Sequence, residues 1–251
     1  MSTILGIDIG GSGIKANLVD PATGELKAER FKLPTPNPSL PREVAEVVGK
    51  MVEHFEYRGS VGCTFPAIVK DGVTLSAANV HKSWIGCHAA ELFASTTGQE
   101  VLVVNDADAA GVAEVAFGAA RDRNGVVVIL TLGTGIGSAV FLDGRLLPNT
   151  EFGQLHFAGR ESVEDWAAAS VKDTENLTWT AWATRLNAFL GHLDQVLSPD
   201  LFVLGGGVSR KWDKWAHQLT VNVEVVPAAL RNEAGIVGAA VLAARQFDQG
   251  R

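Results

Sequence analysis

The sequence predicts an α/β protein of two lobes, and a repeated turn predicts it. Two glycine-rich turns of one pattern stand far apart: Ile7-Asp8-Ile9-Gly10-Gly11-Ser12-Gly13-Ile14-Lys15 and Leu130-Thr131-Leu132-Gly133-Thr134-Gly135-Ile136-Gly137-Ser138. Each follows a short apolar run and leads into another that ends in a turn, at Val19-Asp20 and at Leu142-Asp143-Gly144. Segments of helical spacing come after each copy. One supersecondary unit used twice, with helices behind it, implies two lobes of related plan.

The first copy reads strand, glycine turn, strand, turn (Asp20-Pro21-Ala22-Thr23-Gly24) and strand, an antiparallel meander. Leu33-Pro34-Thr35-Pro36-Asn37-Pro38 reads as a rigid connector. Pro41 to Tyr57 has helical spacing, with Val44, Val47, Val48, Met51, Val52 and Phe55 in step. Val61 to Phe65 is a short buried strand ending at Pro66. Cys87 to Thr97 reads as a helix stopped by Gly98. Val101 to Val104 is a strand with Asn105-Asp106 at its end, and an alanine-rich helix runs from Ala107 to Phe117.

After Asn124-Gly125 the meander recurs: Val126 to Leu132, the glycine turn, Ser138 to Leu142, Asp143-Gly144, and Arg145 to Leu147. Thr178 is placed to cap a long helix carrying Trp182, Leu186, Phe189, Leu190, Leu193 and Val196 on one face. Leu201 to Leu204 is a strand running into Gly205-Gly206-Gly207. A helix, a strand (Val221 to Val226) and a final helix (Glu233 to Ala244) close the chain. We assign an N-terminal lobe to residues 1–107 and a C-terminal lobe to 108–235, with the last helix, 236–251, packing back on the first lobe. This is the layout of the two-lobed actin/hexokinase-like (ribonuclease H-like) fold, whose ligands are expected in the interlobe cleft.

Bulk properties narrow the function. With 251 residues, 47% apolar and 20% charged, the chain has the make-up of a soluble globular protein. No apolar run approaches the roughly 18 residues of a membrane span. The first residues show no signal-like core, so the expectation is a cytoplasmic protein without a membrane partner. The net charge of −7 argues against broad nucleic-acid binding. Cys63 and Cys87 form no CxxC and no Cys/His cluster, so no structural zinc is expected.

Gly11-Ser12-Gly13-Ile14-Lys15-Ala16 formally matches the dinucleotide pattern GxGxxG/A. That pattern needs a helix after the turn, and the stretch from Gly13 to Asp20 is a strand. No GxxxxGK[ST] loop occurs either. The better reading is a phosphate-binding hairpin. Gly10, Gly11 and Gly13, and likewise Gly133 and Gly135, let backbone N–H groups face phosphate oxygens. Ser12, Thr131 and Thr134 add hydroxyl donors, and Lys15 adds a cation. Asp8, at the strand end, is placed to hold Mg²⁺ through water, since Mg²⁺ favours one or two carboxylates plus phosphate oxygens. The competing reading of any one such turn is a tight structural hairpin; two matched turns weaken it.

Asp106 follows a buried strand and opens a helix. A carboxylate there can take the proton of a hydroxyl as phosphate transfers. Asn105 can orient the same acceptor, being both donor and acceptor. The competing reading of Asp106 is a helix cap, and Asp108 is its nearest rival. Asn149-Thr150-Glu151-Phe152-Gly153 is a second polar cluster, with Glu151 suited to accept from sugar hydroxyls. Asn79 and Trp84 share a polar, aromatic loop, where Trp84 can either stack on a sugar or pack in the core.

These stretches together resemble the ROK group of sugar kinases, and within it the bacterial polyphosphate glucokinases. The residues that carry the resemblance span nearly the whole chain: Gly6 to Lys15, Thr64-Phe65-Pro66, Ala77 to Val80 with Ser83-Trp84, Asn105 to Gly111, Leu130 to Ser138, Pro148 to Glu151, Gly205 to Lys211, and Asn232 to Ala240. The resemblance implies phosphorylation of glucose at its 6-hydroxyl, with inorganic polyphosphate, ATP or both as donor. It implies Asp106 as general base and Asn105 and Glu151 as glucose ligands. It places Gly205, Gly206 and Gly207 at the adenosine or the remote polyphosphate, and it implies a homodimer.

The chain departs from the family's Glu-x-Gly-His-x-Glu pattern. It reads Glu151-Phe152-Gly153-Gln154-Leu155-His156, so Gln154 stands for the histidine that touches the sugar and His156 for the following acid. Glutamine still donates and accepts. Two alternatives therefore stay open: a kinase for another hexose such as mannose or glucosamine, or a sugar-binding protein with weak turnover. ROK transcriptional regulators need a DNA-binding segment ahead of the first strand, and the few residues before Ile4 set the expectation against one. Cations for a polyphosphate track are Lys82, Arg121, Arg123, Arg210, Lys211 and Lys214.

Overall fold

The computed structural model describes residues 3–78 and 80–247. It divides into two compact units: the described residues up to Ala113 with those from Glu233 onward, and Glu114–Asn232.

The first unit begins with the meander β1 (Ile4–Ile9), β2 (Gly13–Val19) and β3 (Phe31–Pro34). Helix α1 (Pro41–His54) leads to β4 (Val61–Phe65). Proline at its start suits a helix whose first N–H groups have no partner anyway, and Val44, Val47, Val48, Met51 and Val52 form its buried stripe. A small sheet of β5 (Val69–Lys70), β6 (Val73–Thr74) and β7 (Cys87–His88) follows. Helix α2 (Ala89–Thr97) stops at Gly98, which adopts φ +68°. Then come β8 (Val101–Asn105) and α3 (Asp106–Phe117).

The second unit holds β9 (Val126–Leu132), β10 (Ile136–Leu142) and β11 (Arg145–Leu147), the short helices α4 (Glu164–Ala167) and α5 (Ala169–Thr174), then α6 (Trp179–Leu197), β12 (Leu201–Gly205) and β13 (Glu224–Pro227). Thr178 caps α6, its side chain accepting from the Ala181 amide at 3.1 Å. The final helix α7 (Ala234–Phe247) belongs to the first unit.

The two large sheets have one strand order. The first runs β3-β2-β1-β4-β8 and the second β11-β10-β9-β12-β13. In each, an antiparallel meander meets two parallel strands, β1 beside β4 and β9 beside β12. Helix α7 lies against β1 and β4 at very short range. A Cβ at Gly6 would stand 2.2 Å from the Ile236 carbonyl oxygen, and one at Gly62 2.0 Å from that of Ala239. The second unit's core is built on α6, where Trp182, Leu186, Phe189 and Leu190 are fully buried with Trp215. Each such side chain contributes about 1.5–3 kcal/mol.

Several elements differ from the sequence reading. The third strand of the first meander is Phe31–Pro34, not the stretch directly after Gly24. Its proline sits at the end of an edge strand, where no ladder donor is missed. Cys87-His88 pairs with β6 instead of opening α2. The segment after the triple glycine, Gly207–Lys214, is 3₁₀ in character with a break at Lys211. Trp84 is fully buried, tilted on Phe65 with ring centroids 4.3 Å apart, and donates Nε1 to the Ser39 carbonyl, so it belongs to the core.

Candidate active site

In the first unit the site is built at the ends of β1, β4 and β8. Asp8 is the fifth residue of β1 and pairs across the sheet with Lys15 of β2. The two side chains form an ion pair at 3.3 Å. The Thr64 hydroxyl donates to Asp8 Oδ1 at 2.8 Å and accepts from the Ile9 amide at 3.1 Å. Asp8 is thus held from two sides while its carboxylate stays partly open. The turn beyond it is closed by Gly10 N donating to Gly13 O at 3.1 Å, with Gly11 and Ser12 exposed at its tip.

Asn105 ends β8 and caps α3. Its Oδ1 accepts from the amides of Ala107 and Asp108 at 2.8 and 3.0 Å, and its Nδ2 donates to the Ala67 carbonyl at 3.1 Å. Both lone pairs of the oxygen are then used, leaving one N–H of the amide group for a ligand. The capping duty that competes with chemistry at Asp106 therefore falls on its neighbour. Asp106 is half-buried, and its Oδ1 takes the Ala107 amide at 2.9 Å. Burial pushes its pKa up to about 6, with the nearby Asp8 charge adding to the rise and backbone hydrogen bonds opposing it. That value suits a general base near neutral pH. Asp108 is buried at 3% exposure, which removes it as a rival for a solvent-borne substrate. Asn79 lies outside the described residues.

In the second unit the second glycine turn closes like the first, with Gly133 N donating to Gly135 O at 3.0 Å. The third glycine cluster lies beside it, since Gly205 pairs with Thr131 where β12 runs along β9. Gly206 has φ +84°, and a Cβ there would stand 2.1 Å from the Leu132 carbonyl oxygen. Only glycine fits between these two turns. Gly133, Thr134 and Gly207 line one pocket of about 470 Å³.

Glu151 is fixed by its neighbours. The buried Ser138 hydroxyl donates to the Thr150 carbonyl at 2.7 Å and accepts from the Phe152 amide at 3.0 Å. Gln154 is exposed and donates Nε2 to Glu164 Oε1 at 2.7 Å. The other oxygen of that carboxylate takes the Ile136 amide, next to Gly135, at 3.1 Å. His156 is exposed and lines a separate pocket of about 350 Å³ formed by residues 156–161. Among the proposed cations, Arg123 is paired with Glu224 at 2.7 Å, whereas Lys211 lines the pocket at the second glycine turn.

Four residues of this region carry no role in the sequence reading: Thr64, Ser138, Glu164 and Lys172. Thr64, Ser138 and Glu164 act through contacts distant along the chain, and Lys172 through a ring seven residues on across a helix end, so no local spacing marks them.

Among the described residues, no three His, Cys, Asp or Glu side chains gather as a metal site. Nor is any helix of the described residues long and apolar enough to cross a membrane.

The sequence model of the ROK family matches residues 4–154. The chain belongs to the ROK family. Over 237 residues this ROK chain is 51% identical to the polyphosphate glucokinase of Mycobacterium tuberculosis (strain CDC 1551 / Oshkosh), covering 94% of this chain and 89% of that one. Among solved structures it superposes on the inorganic polyphosphate/ATP-glucomannokinase of Arthrobacter sp. strain KM with a TM-score of 0.94 and 44% identity, covering 98% of this chain and all of that one, 100%. It also matches a ROK family glucokinase of Streptomyces griseus, determined with glucose and AMPPNP, at a TM-score of 0.82 and 23% identity, over 98% and 100% of the two chains. That last likeness speaks for the fold alone. The ROK chain has the actin/hexokinase-like fold.

Proposed function

We propose that this ROK protein is a glucokinase that transfers the terminal phosphoryl group of inorganic polyphosphate, and of ATP, to the 6-hydroxyl of glucose. The observation that carries the reading is the division of labour at the end of β8: Asn105 caps the helix, and Asp106 presents a half-buried carboxylate with a pKa raised to about 6. The 51% identity to a polyphosphate glucokinase supports the choice of substrates.

Asp106 accepts the proton of the glucose 6-hydroxyl. The freed oxygen attacks the terminal phosphorus in line, and the bond from that phosphorus to the bridging oxygen breaks, leaving a donor shorter by one phosphate. Asn105, with its one remaining N–H, orients the sugar, and Glu151 accepts from sugar hydroxyls. Gln154 takes the place of the family's histidine, and Asn79 and His156 complete the proposed sugar set. The backbone amides of Gly10, Gly11 and Gly13, with Ser12 and Lys15, and those of Gly133 and Gly135, with Thr131 and Thr134, hold phosphate oxygens. Gly205, Gly206 and Gly207 lie further along the donor.

A divalent cation belongs to this chemistry, and the residues fit one that needs few protein ligands. Asp8 offers one partly open carboxylate, which suits Mg²⁺ because that ion keeps water and phosphate oxygens for its other positions. The ion supplies neutralisation of phosphate charge. A homodimer and a cytoplasmic location go with the same reading.

The test is formation of glucose 6-phosphate by the purified protein with Mg²⁺, in parallel with polyphosphate and with ATP. Product with polyphosphate supports the reading. Product with ATP alone makes the protein an ordinary glucokinase, and product from neither donor sinks the reading. The identity of residue 154 favours a second assay on mannose and glucosamine. A better kcat/KM for either would replace glucose as the substrate.

A further inference from the structure

The pocket at the second glycine turn contains a feature outside the glycine machinery. Its lining includes Gly133, Thr134 and Gly207 on one hand, and Lys172, Trp179 and Lys211 on the other. Lys172 is the more enclosed of the two lysines. Its side chain is 16% exposed, its Nζ stands 4.5 Å from the centroid of the Trp179 ring, and it contacts Asp173 Oδ1 at 3.1 Å. An ammonium seated over an aromatic face is held there by the ring's quadrupole. It also occupies a face on which a flat base would otherwise stack. Asp173, the one acid of the group, is 82% exposed and so offsets the two cations only weakly.

We propose that Lys172, with Lys211, is a donor-specificity element. The two ammonium groups bind phosphates of a polyphosphate chain that continue beyond those held at Gly133–Gly135, and Lys172 on Trp179 disfavours a nucleoside in the same pocket. This rests on the donor reading given above. The chemistry is simple: lysine ammonium groups bind phosphates through charge-assisted hydrogen bonds, and a long phosphoanhydride chain offers one charge at each unit. The held position of Lys172 lowers the entropy lost on binding compared with a free lysine.

The experiment uses the full-length protein with Mg²⁺ and glucose, and compares long-chain polyphosphate, tripolyphosphate and ATP for wild type, Lys172→Met, Lys172→Arg and Lys211→Met. The ratio of kcat/KM for long-chain polyphosphate to that for ATP is expected to fall about tenfold in Lys172→Met, the loss of one charge-assisted contact. The fall should sit in KM, be smaller with tripolyphosphate, and be largely restored in Lys172→Arg. Lys211→Met, at an exposed position, guards against a folding defect and should lower the same ratio. A ratio within twofold of wild type in both methionine variants overturns the proposal, as does a wild type that uses ATP but not polyphosphate. Calorimetric titration with long-chain polyphosphate separates the two ideas. Absence of product from every donor sinks the kinase reading. Polyphosphate binding that weakens in Lys172→Met still upholds the pocket assignment, and equal binding by both proteins ends it.

Discussion

Gln154 and the Glu164 carboxylate are joined at 2.7 Å, and the same carboxylate holds the Ile136 amide. One acidic side chain thereby ties the segment proposed to read the sugar to the segment proposed to grip the phosphates. Glu164→Ala leaves the buried Ile136 amide without its acceptor, a loss of about 1–3 kcal/mol, while the exposed Gln154 amide turns to water and loses its fixed position. We expect kcat/KM for glucose to fall at least tenfold by steady-state kinetics, with KM for the donor rising as well. A donor KM equal to wild type would show that the tie has no consequence for the turn.

The same contact predicts the effect of restoring the family's histidine. A histidine at 154 can donate a ring N–H to Glu164 as glutamine does. Gln154→His should change the glucose KM by less than about threefold. A larger drop would mean that Gln154 is a costly departure that Glu164 does not offset.

Asp106→Asn should lower kcat by about 10²–10⁴, the usual contribution of a general base, and leave glucose binding intact by calorimetry. Wild-type kcat/KM should rise with pH through about 6 and then level, because the carboxylate must be deprotonated to accept the proton. Stability moves the other way. The folded state holds the Asp106 proton more tightly than the unfolded chain, whose value is near 3.8, so stability falls as pH rises through the window between 3.8 and about 6. The cost above pH 7 is about 2 to 3 kcal/mol. Asp106→Asn should therefore melt higher than wild type at pH 7.5 in buffer free of divalent cation, and the gap should close near pH 4. Equal melting temperatures at both pH values would refute the shift.

Neighbouring glycines should respond differently. Gly206→Ala combines φ +84° with a Cβ 2.1 Å from the Leu132 carbonyl oxygen and should destabilise by roughly 2 kcal/mol or more. Gly207→Ala meets nothing within 4 Å and should stay within about 0.5 kcal/mol of wild type. Urea denaturation of the two variants decides this, and comparable losses would argue against the close approach of β12 to Leu132.

Glu114 is buried at 1% exposure and accepts from three backbone amides, Ala119 at 2.8 Å, Ala229 at 3.0 Å and Leu230 at 2.7 Å. Glu114→Ala orphans all three and should destabilise by roughly 3 to 5 kcal/mol. Glu114→Gln keeps one good acceptor and should lose about half as much. Chemical denaturation reads both, and a loss below 1 kcal/mol for the alanine variant would contradict the geometry.

What could be read from the sequence was whatever is local. The glycine turns, the valine stripe of α1 and the Thr178 cap are each marked by spacing within a few residues. The repeat made the two meanders legible, although not the strand order of the sheets or the place of β3. Contacts across distance were not. Thr64 meets Asp8 from 56 positions away, Glu164 reaches Ile136 across 28, and Glu114 reaches Ala229 across 115. The short helices α4 and α5 carry too few turns for a periodic signal, and Lys172 with them. At Asn105-Asp106 the residue types pointed to chemistry, but which of the pair caps α3 needed the hydrogen bonds.

The two sheets of equal strand order differ in one telling place. Two residues ahead of the turn glycine Gly10 stands Asp8, with a hydroxyl-bearing neighbour on the parallel strand; two residues ahead of Gly133 stands Thr131, with Gly205 beside it. One hairpin plan therefore carries different chemistry at its two roots. The first carries a carboxylate shared between Lys15 and Thr64, whereas the second has no charged residue at its root and takes its cations, Lys172 and Lys211, from the surrounding pocket lining. The charge beside the turn is thus built into the strands of one hairpin and supplied from outside the other.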